Sequence, residues 1–220
     1  MTDSKSNPPV PSRDRTSLSR RTFLKGGVVT GLTTAAAASA ASARSSVTKG
    51  KAATQLKGRI AISLNINGES KQVAVEPRTT LLGALRDHME PPMTGTKLVC
   101  DGGNCGACTV LLDGAPAAAC MTLALDATSH KVRTIEGLGK PNDLSVVQSA
   151  FCADDGLMCG FCTPGFIMAI TAELEANPTA ELDQLKDACA GNLCRCGTYP
   201  QIFDAAVRAA KAGLDNKGDK

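Results

Sequence analysis

Eight of the ten cysteines fall into two groups of four, and cysteine thiolates at such spacings bind metal. The first group is Cys100, Cys105, Cys108 and Cys120. Its Cys-x4-Cys-x2-Cys run, with a fourth cysteine at a distance, is a known spacing for a cluster of two irons and two sulfides. The second group, Cys-x2-Cys and then Cys-x-Cys, is Cys159, Cys162, Cys194 and Cys196. The two groups predict two 2Fe-2S clusters that carry electrons.

Two other uses of cysteine are compatible with parts of this pattern. An exported chain with an even number of cysteines often forms disulfides. However, Cys105 and Cys108 are too close in sequence for easy bridging, and the glycine-rich loop around them has no role in a disulfide. A structural zinc site would suit the second group taken alone. The Cys-x4-Cys-x2-Cys group beside it favours iron–sulfur clusters.

Nothing else in the sequence indicates a catalytic group. Cys152 and Cys189 are interpreted as small buried residues on helices, and His88 and His130 as surface residues. No Ser–His–acid grouping, phosphate loop or dinucleotide-binding glycine pattern is present. The sequence therefore predicts an electron carrier without catalytic residues of its own.

The net charge of +3 is concentrated at the N-terminus. Residues 1–43 contain six Lys and Arg against two Asp, a balance of +4, which leaves −1 for the rest of the chain. Nucleic-acid binding would need Lys and Arg concentrated on one face of the folded body. The charge therefore gives no support for a nucleic-acid partner.

Residues 1–43 have the features of an export signal. Ser19-Arg20-Arg21-Thr22-Phe23-Leu24-Lys25 is a twin-arginine motif, and the mildly apolar segment 26–43 follows it. Cleavage after Ala43 is expected; an uncleaved anchor is the alternative, although a membrane span needs about 20 mostly apolar residues. The twin-arginine translocase exports folded, cofactor-loaded proteins, so we expect assembly in the cytoplasm and a periplasmic location. Residues 44–57 are predicted to be a flexible leader and residues 216–220 a tail.

The first predicted domain, residues 58–140, begins with a β-hairpin. Apolar residues alternate with more polar ones from Ile60 to Ile66, which is typical of a strand with one buried face. Asn67-Gly68 then favours a type I′ turn into a second strand. A short helix capped by Thr79 or Thr80 follows.

The second half of this domain contains the first cysteine group. Glycines in the Cys100–Cys108 loop let the backbone wrap closely around a cluster and point N–H groups at its sulfurs. Asp113-Gly114 predicts a second hairpin that presents Cys120, and residues 132–135 predict a last strand. A mixed sheet crossed by a helix is similar to the β-grasp layout of plant-type ferredoxins.

The second predicted domain, residues 141–215, has helical periodicity. Four groups of apolar residues repeat at helical spacing: Leu144, Val147 and Phe151; Phe166, Ile167, Ile170 and Leu174; Leu182, Leu185 and Cys189; Ile202, Phe203, Ala206, Val207 and Ala210. Pro164 and Pro200 indicate helix starts just after each cysteine pair, where the helix dipole favours thiolate. The predicted fold class is α+β, with a β-grasp domain followed by an all-α four-helix bundle.

The combined motifs resemble those of a known family. Residues 100–120 are followed by Cys159-Gly160-Phe161-Cys162-Thr163-Pro164-Gly165 and then by Gly191-Asn192-Leu193-Cys194-Arg195-Cys196-Gly197. This order resembles the small subunit of molybdenum hydroxylases, the xanthine dehydrogenase and aldehyde oxidoreductase family, over roughly residues 58–213. With the export signal, the chain looks most similar to the iron–sulfur subunit of periplasmic aldehyde oxidoreductases, with the isoquinoline oxidoreductase type as the alternative.

The resemblance implies a role for each cysteine group. Cys159, Cys162, Cys194 and Cys196 would hold an inner cluster beside the molybdopterin of a large catalytic subunit, with contact to the pterin around Cys196. Cys100, Cys105, Cys108 and Cys120 would hold an outer cluster that passes electrons to an FAD subunit or another acceptor. The implied reaction is oxidation of an aldehyde to a carboxylic acid in the partner; the alternative is a free periplasmic ferredoxin.

Two positions depart from the family pattern. Many relatives have Gln where this chain has Met158, and many have Thr-Gly where it has Gly197-Thr198. A methionine side chain cannot form the hydrogen bonds of an amide. Cluster ligation is unaffected by either change, but a hydrogen bond from position 158 to the pterin is not expected.

Overall fold

A computed structural model of the chain describes residues 55–215. The predicted export signal, the leader up to residue 54 and the tail 216–220 lie outside the described residues. Over the described range, no helix combines the length and apolar character that crossing a membrane requires.

A five-stranded sheet comes first in the chain and is followed by a group of helices. The bounds are β1 (Ile60–Ile66), β2 (Glu69–Val75), α1 (Leu81–Asp87), β3 (Thr109–Leu112), β4 (Ala115–Ala118), β5 (Lys131–Arg133), α2 (Val146–Ala153), α3 (Thr163–Ala176), α4 (Leu182–Ala188) and α5 (Tyr199–Asp215). The strand order is β2-β1-β5-β3-β4, with β1 and β5 parallel and the other neighbours antiparallel. The predicted α+β fold class is confirmed.

Local sequence signals explain the turns and the helix start in the sheet half. Asn67 and Gly68 have φ values of 52° and 85°, and Asp113 and Gly114 have 50° and 90°, so both dipeptides have positive φ at each central position, as a type I′ turn requires. The Thr80 hydroxyl caps α1 by accepting a hydrogen bond from the Gly83 N–H at 3.2 Å. These short-range predictions agree with the structure.

Strand β5 is shorter than the sequence indicated, ending at Arg133 instead of continuing to Ile135. The next residue, Thr134, donates its backbone N–H to Oδ1 of Asn67 at 2.9 Å, and its hydroxyl accepts from Nδ2 of Asn67 at 3.0 Å. This side chain therefore replaces the strand partner, and a 3-10 turn begins at Ile135.

Two apolar cores lie in the described chain. One packs α1 against the sheet and includes the fully buried Leu64, Ile66 and Leu85. The other joins the four helices α2 to α5 around Phe151 and Phe166. A small third cluster of Leu111 on β3 with Met168 and Ala172 on α3 connects the sheet to the helices.

Candidate iron–sulfur cluster sites

The β3–β4 hairpin brings Cys108 and Cys120 together. Thr109 pairs with Ala118 across the hairpin, so the cysteines just outside the two strands become neighbours. The Ala119 N–H donates to the Cys108 carbonyl at 3.2 Å. Burial raises the pKa of the Cys108 thiol to about 11, and the adjacent sulfur of Cys120 adds to the shift.

The glycine-rich loop surrounds Cys100 with hydrogen-bond donors. The pKa of Cys100 is lowered to about 6, first by the backbone N–H of Gly102, then by the Cys105 side chain and the N–H of Asn104. The loop therefore points backbone donors at a sulfur, as expected. The four cysteines of this group lie as two contacting pairs, Cys100 with Cys105 and Cys108 with Cys120, and the charge of Cys105 also reaches Cys108.

The second group meets where α3 begins. Cys162 is the N-cap of α3, and its side chain contacts Cys194. Burial raises the pKa of Cys162 to about 12, and the nearby sulfurs of Cys194 and Cys159 act in the same direction. The expected preference for thiolate at a helix N-terminus is therefore outweighed at Cys162 by desolvation and by neighbouring negative charge.

Hydrogen bonds compensate for burial at Cys194. Burial alone would raise the pKa of Cys194, but the backbone N–H and the hydroxyl of Thr198 and the side chain of Cys162 together lower it to about 7. The Thr198 oxygen lies 3.6 Å from the Cys194 sulfur. The Tyr199 hydroxyl accepts the Cys194 N–H at 2.9 Å.

Aromatic packing joins the beginnings of the two helices that carry the second group. The rings of Phe166 on α3 and Tyr199 on α5 meet edge to face with their centroids 6.0 Å apart, and Tyr199 also stacks on Phe203. This contact places the segment of Cys194 and Cys196 next to Cys162. Thr198 and Tyr199 were not among the site residues predicted from sequence; the one available signal is that Tyr199 is the single tyrosine of the chain.

The two contacting pairs of the first group suit a cluster of two irons, and so does the Cys162–Cys194 contact of the second group, with Cys159 close to Cys162. Such a cluster is held by four thiolates, two on each iron, so contacting cysteine pairs are the required units. Between residues 55 and 215, no three His, Cys, Asp or Glu side chains are arranged around a single metal ion. All ten cysteines lie in that range, and none is joined to another by a disulfide.

The remaining cysteines and histidines are separate from both groups. Cys152 is exposed on α2, which corrects the interpretation of it as a buried residue; the neighbouring Phe151 occupies the inward face instead. Cys189 is buried after α4, and this burial raises its pKa to about 12. His88 contacts Arg59, and Nδ1 of His130 lies 2.5 Å from Asp113, both at partly exposed positions.

The two cysteine groups are connected by direct hydrogen bonds. The Leu193 N–H donates to the Cys105 carbonyl at 3.0 Å. The side-chain amide of the preceding Asn192 donates to the Gly106 carbonyl, also at 3.0 Å. Leu193 immediately precedes Cys194, so one hydrogen bond links a cysteine of the first group to the backbone beside a cysteine of the second. The sequence carried no signal for this contact.

Each group also reaches the protein surface. Cys100 is exposed in the first group, and Cys159 and Cys196 are exposed in the second. Large apolar side chains surround the second exposed edge: Met158 is 69% exposed, and Phe161 and Leu193 are each 55% exposed. Apolar exposure of this kind is typical of a surface that another protein covers.

Two family descriptions match successive parts of the chain. Residues 64–131 match a 2Fe-2S iron-sulfur cluster binding domain, and residues 134–207 match a 2Fe-2S binding domain of a second type. The first range contains all four cysteines of the first group, and the second range contains all four of the second group. The comparison therefore supports two cluster-binding domains in one chain.

Similar proteins of known role support the same conclusion. The aldehyde oxidoreductase iron-sulfur-binding subunit PaoA of Escherichia coli O157:H7 is 40% identical over 174 residues, covering 72% of this chain and 75% of that protein. The nicotine 6-hydroxylase small subunit of Paenarthrobacter nicotinovorans is 44% identical over 151 residues, covering 69% and 90%. The crystal structure of quinoline 2-oxidoreductase from Pseudomonas putida 86 aligns with a TM-score of 0.67 and 39% identity, covering 72% of this chain and 98% of that chain. With both domain matches in this order, the chain belongs to the family of iron–sulfur small subunits of molybdenum hydroxylases, which includes the aldehyde oxidoreductase and xanthine dehydrogenase subunits.

Proposed function

We propose that the two cysteine groups hold a two-step electron relay. The outer 2Fe-2S cluster is assigned to Cys100, Cys105, Cys108 and Cys120. The inner cluster is assigned to Cys159, Cys162, Cys194 and Cys196. The observation that carries the proposal is the hydrogen bond from the Leu193 N–H to the Cys105 carbonyl, because it joins the two groups by a path with a single non-covalent step.

In this relay, the protein would hold the two clusters, shield them from water and tune their reduction potentials. A 2Fe-2S cluster held by each cysteine group would supply transfer of one electron at a time. Buried Cys108, Cys120 and Cys194 place one side of each site away from water. Donors to sulfur stabilise the extra negative charge of a reduced cluster and so raise its potential, which is the effect of the Gly102 and Thr198 N–H groups. The chain can thereby give its two clusters different potentials along one path.

The partner at the inner end is a large subunit that binds molybdopterin. The exposed apolar residues Met158, Phe161 and Leu193 around Cys159 and Cys196 support this docking position. Met158 offers no amide to a pterin, so the contact is assigned to the segment around Cys196. In the partner, an aldehyde and water give a carboxylic acid, two protons and two electrons, and the electrons leave singly through this chain. The 40% identity to an aldehyde oxidoreductase subunit supports this substrate class.

Hydroxylation of an N-heterocycle is the second candidate for the complex. It is supported by the 44% identity to a nicotine 6-hydroxylase small subunit and by the likeness to quinoline 2-oxidoreductase. The acceptor at the outer end, next to exposed Cys100, is an FAD subunit or another redox protein. The substrate and the acceptor both belong to other chains of the complex.

Purification of the native complex tests the proposal. We expect about four irons per copy of this chain, a molybdenum-containing large subunit, and two distinct paramagnetic signals after reduction. Bleaching of the visible absorption by aldehydes, but not by quinoline or nicotine, would support the aldehyde assignment; the reverse would support the heterocycle candidate. Recovery of this chain as a free monomer without molybdenum would contradict the complex and favour a free ferredoxin.

Export by the twin-arginine pathway is part of the same proposal. Its support is the Ser19–Lys25 motif. Replacing Arg20 and Arg21 with Lys should retain the loaded chain in the cytoplasm, measured by fractionating cells and determining iron in each fraction. The matched control replaces Arg13 and Arg15 with Lys and should leave export unchanged. A periplasmic chain in the Arg20 and Arg21 variant would exclude this route.

A further inference from the structure

Three chain segments meet at one point between the cysteine groups. Gly106 comes from the glycine-rich loop, Gly165 from the first turn of α3, and Asn192 from the segment before Cys194. A Cβ atom built on Gly165 would overlap the carbonyl oxygen of Gly106. A Cβ atom on Gly106 would lie 2.5 Å from Nδ2 of Asn192. The backbones of α3 at Gly165 and of the loop at Gly106 are therefore closer than a residue with a Cβ at position 165 would allow.

The carbonyl of Gly106 is fixed from several directions. It accepts hydrogen bonds from Nδ2 of Asn192 at 3.0 Å, from the Thr109 N–H at 3.1 Å and from the Thr109 hydroxyl at 2.7 Å. Thr109 begins β3, so this carbonyl is held by the sheet on one side and by the segment of Cys194 on the other. We call this meeting point of Gly106, Gly165 and Asn192 the junction. Its geometry is fixed both by β3 and by the segment before Cys194.

Each of the three residues is close in sequence to a proposed ligand. Gly106 directly follows Cys105, Gly165 is three residues after Cys162, and Asn192 is two residues before Cys194. Any change in the spacing at this point must therefore move ligands of one group relative to ligands of the other. It would also stretch the neighbouring hydrogen bond from Leu193 to Cys105.

Helix propensity gives no reason for a glycine at position 165. Gly in a helix is about 1 kcal/mol less favourable than Ala. Gly165 is buried within α3 and has no positive φ, so local conformation does not require it either. The reason is the close approach of the Gly106 carbonyl, because any side chain at position 165 would push this carbonyl away.

We propose that Gly165, Gly106 and Asn192 are positioning residues that set the separation of the two clusters and with it the rate of electron transfer between them. The inference rests on the ligand assignment proposed above. Gly165 and Gly106 permit the close approach, and Asn192 locks it through its amide. Electron tunnelling weakens steeply with distance, so a small displacement here slows the relay without removing a ligand.

The test compares Gly165→Ala with Gly191→Ala in the native complex. A Cβ on Gly191 meets nothing within 4 Å, and Gly191 has no positive φ, so this variant is a matched control in an adjoining segment. In Gly165→Ala, we expect iron and sulfide contents to stay unchanged. The magnetic splitting between the two reduced clusters should decrease, and transfer from the inner to the outer cluster should slow several-fold. Gly191→Ala should match the unchanged protein.

A second variant distinguishes an effect on the separation of the clusters from a failure of the protein to fold. Asn192→Ala removes the amide that holds the Gly106 carbonyl and introduces no overlap. We expect it to weaken the splitting in the same direction, by less than Gly165→Ala, because Thr109 still holds that carbonyl. Unchanged splitting and transfer rate in Asn192→Ala, with both clusters present, would overturn the inference even if Gly165→Ala does not accumulate. A shortfall of clusters in the unchanged protein would instead contradict the ligand assignment.

Discussion

Thr198 and Tyr199 determine the surroundings of Cys194. The Thr198 side chain is buried and its oxygen faces the Cys194 sulfur, while the Tyr199 hydroxyl accepts the backbone N–H of Cys194. Both residues lie at the start of α5, so the helix that closes the bundle also fixes a proposed ligand. Burial alone would raise the pKa of Cys194, which is 8% exposed, but the backbone N–H and hydroxyl of Thr198, with the side chain of Cys162, lower it to about 7.

Replacing Thr198 with Val should lower the reduction potential of the inner cluster. A cysteine that ligates a cluster is a thiolate and has no proton to donate, so the Thr198 hydroxyl, 3.6 Å from the Cys194 sulfur, would donate to it. Loss of a typical hydrogen bond of about 1 kcal/mol corresponds to roughly 40 mV for a one-electron couple. Potentiometric titration followed by electron paramagnetic resonance measures each cluster separately. Thr198→Ser keeps the hydroxyl and should restore most of the potential. An inner cluster whose potential is the same in Thr198→Val would show that this hydroxyl does not tune it.

The sequence revealed the cysteines but not the groups that act on them. The spacing from Cys100 to Cys108 is local, so the metal chemistry could be inferred without a fold. Asn192 acts on Gly106, a residue 86 positions away, and Thr198 acts through the packing of α5. Such contacts depend on how distant elements dock, and no local pattern encodes them.

For the strands, turns and helices, short-range sequence signals gave the predictions that agree with the structure. Alternation predicted β1, and both Asx-Gly turns formed as expected because positive φ is a property of the dipeptide itself. The predicted end of β5 was wrong because the side chain of Asn67, from a turn far away in sequence, accepts the Thr134 N–H that would have extended the strand. Cys152 was placed on the wrong face of α2 because a short helix gives few positions from which to define its apolar side.

An ion pair between two helices predicts a pH dependence. Arg208 on α5 makes two 2.6 Å hydrogen bonds to Asp154 at the end of α2, and these lower the pKa of Asp154. The unfolded value is about 3.9, so the pair contributes fully at neutral pH and its contribution is lost as the pH falls through the lowered folded value. Asp154→Asn should therefore reduce the thermal midpoint at pH 7, and the difference should narrow as the pH approaches 3.

Asp155, the acidic residue next to Asp154, provides the control for this ion pair. Asp155 forms no ion pair with another residue in the range 55–215, so Asp155→Asn should show no corresponding pH-dependent loss. Visible absorption recorded during each melt separates helix unfolding from acid damage to the clusters. A stability difference for Asp154→Asn that stays constant from pH 7 to pH 3 would contradict an ionic origin.

Residues 55–215 combine two separate apolar cores with close contacts between the sheet and the helices. The sheet core and the helical core share no residue, which favours cluster sites that assemble separately. Leu111, Met168 and Ala172, together with the Arg133–Glu175 ion pair, hold the two halves against each other. Strand alternation and helical periodicity in the sequence predicted two domains, each with one cysteine group. The junction between them follows from tertiary packing that neither periodicity contains.

Removing one proposed ligand tests how far this separation extends. Cys105→Ala should abolish the outer cluster and halve the iron and sulfide content. The inner cluster should remain, because its ligands and core come from the helices. Its paramagnetic signal should nevertheless lose the splitting that the outer cluster causes. Cys152→Ala is the matched control, since Cys152 is exposed and lies outside both groups, and it should retain both signals. Loss of both clusters from soluble Cys105→Ala protein would show that the junction makes the two sites assemble as one unit.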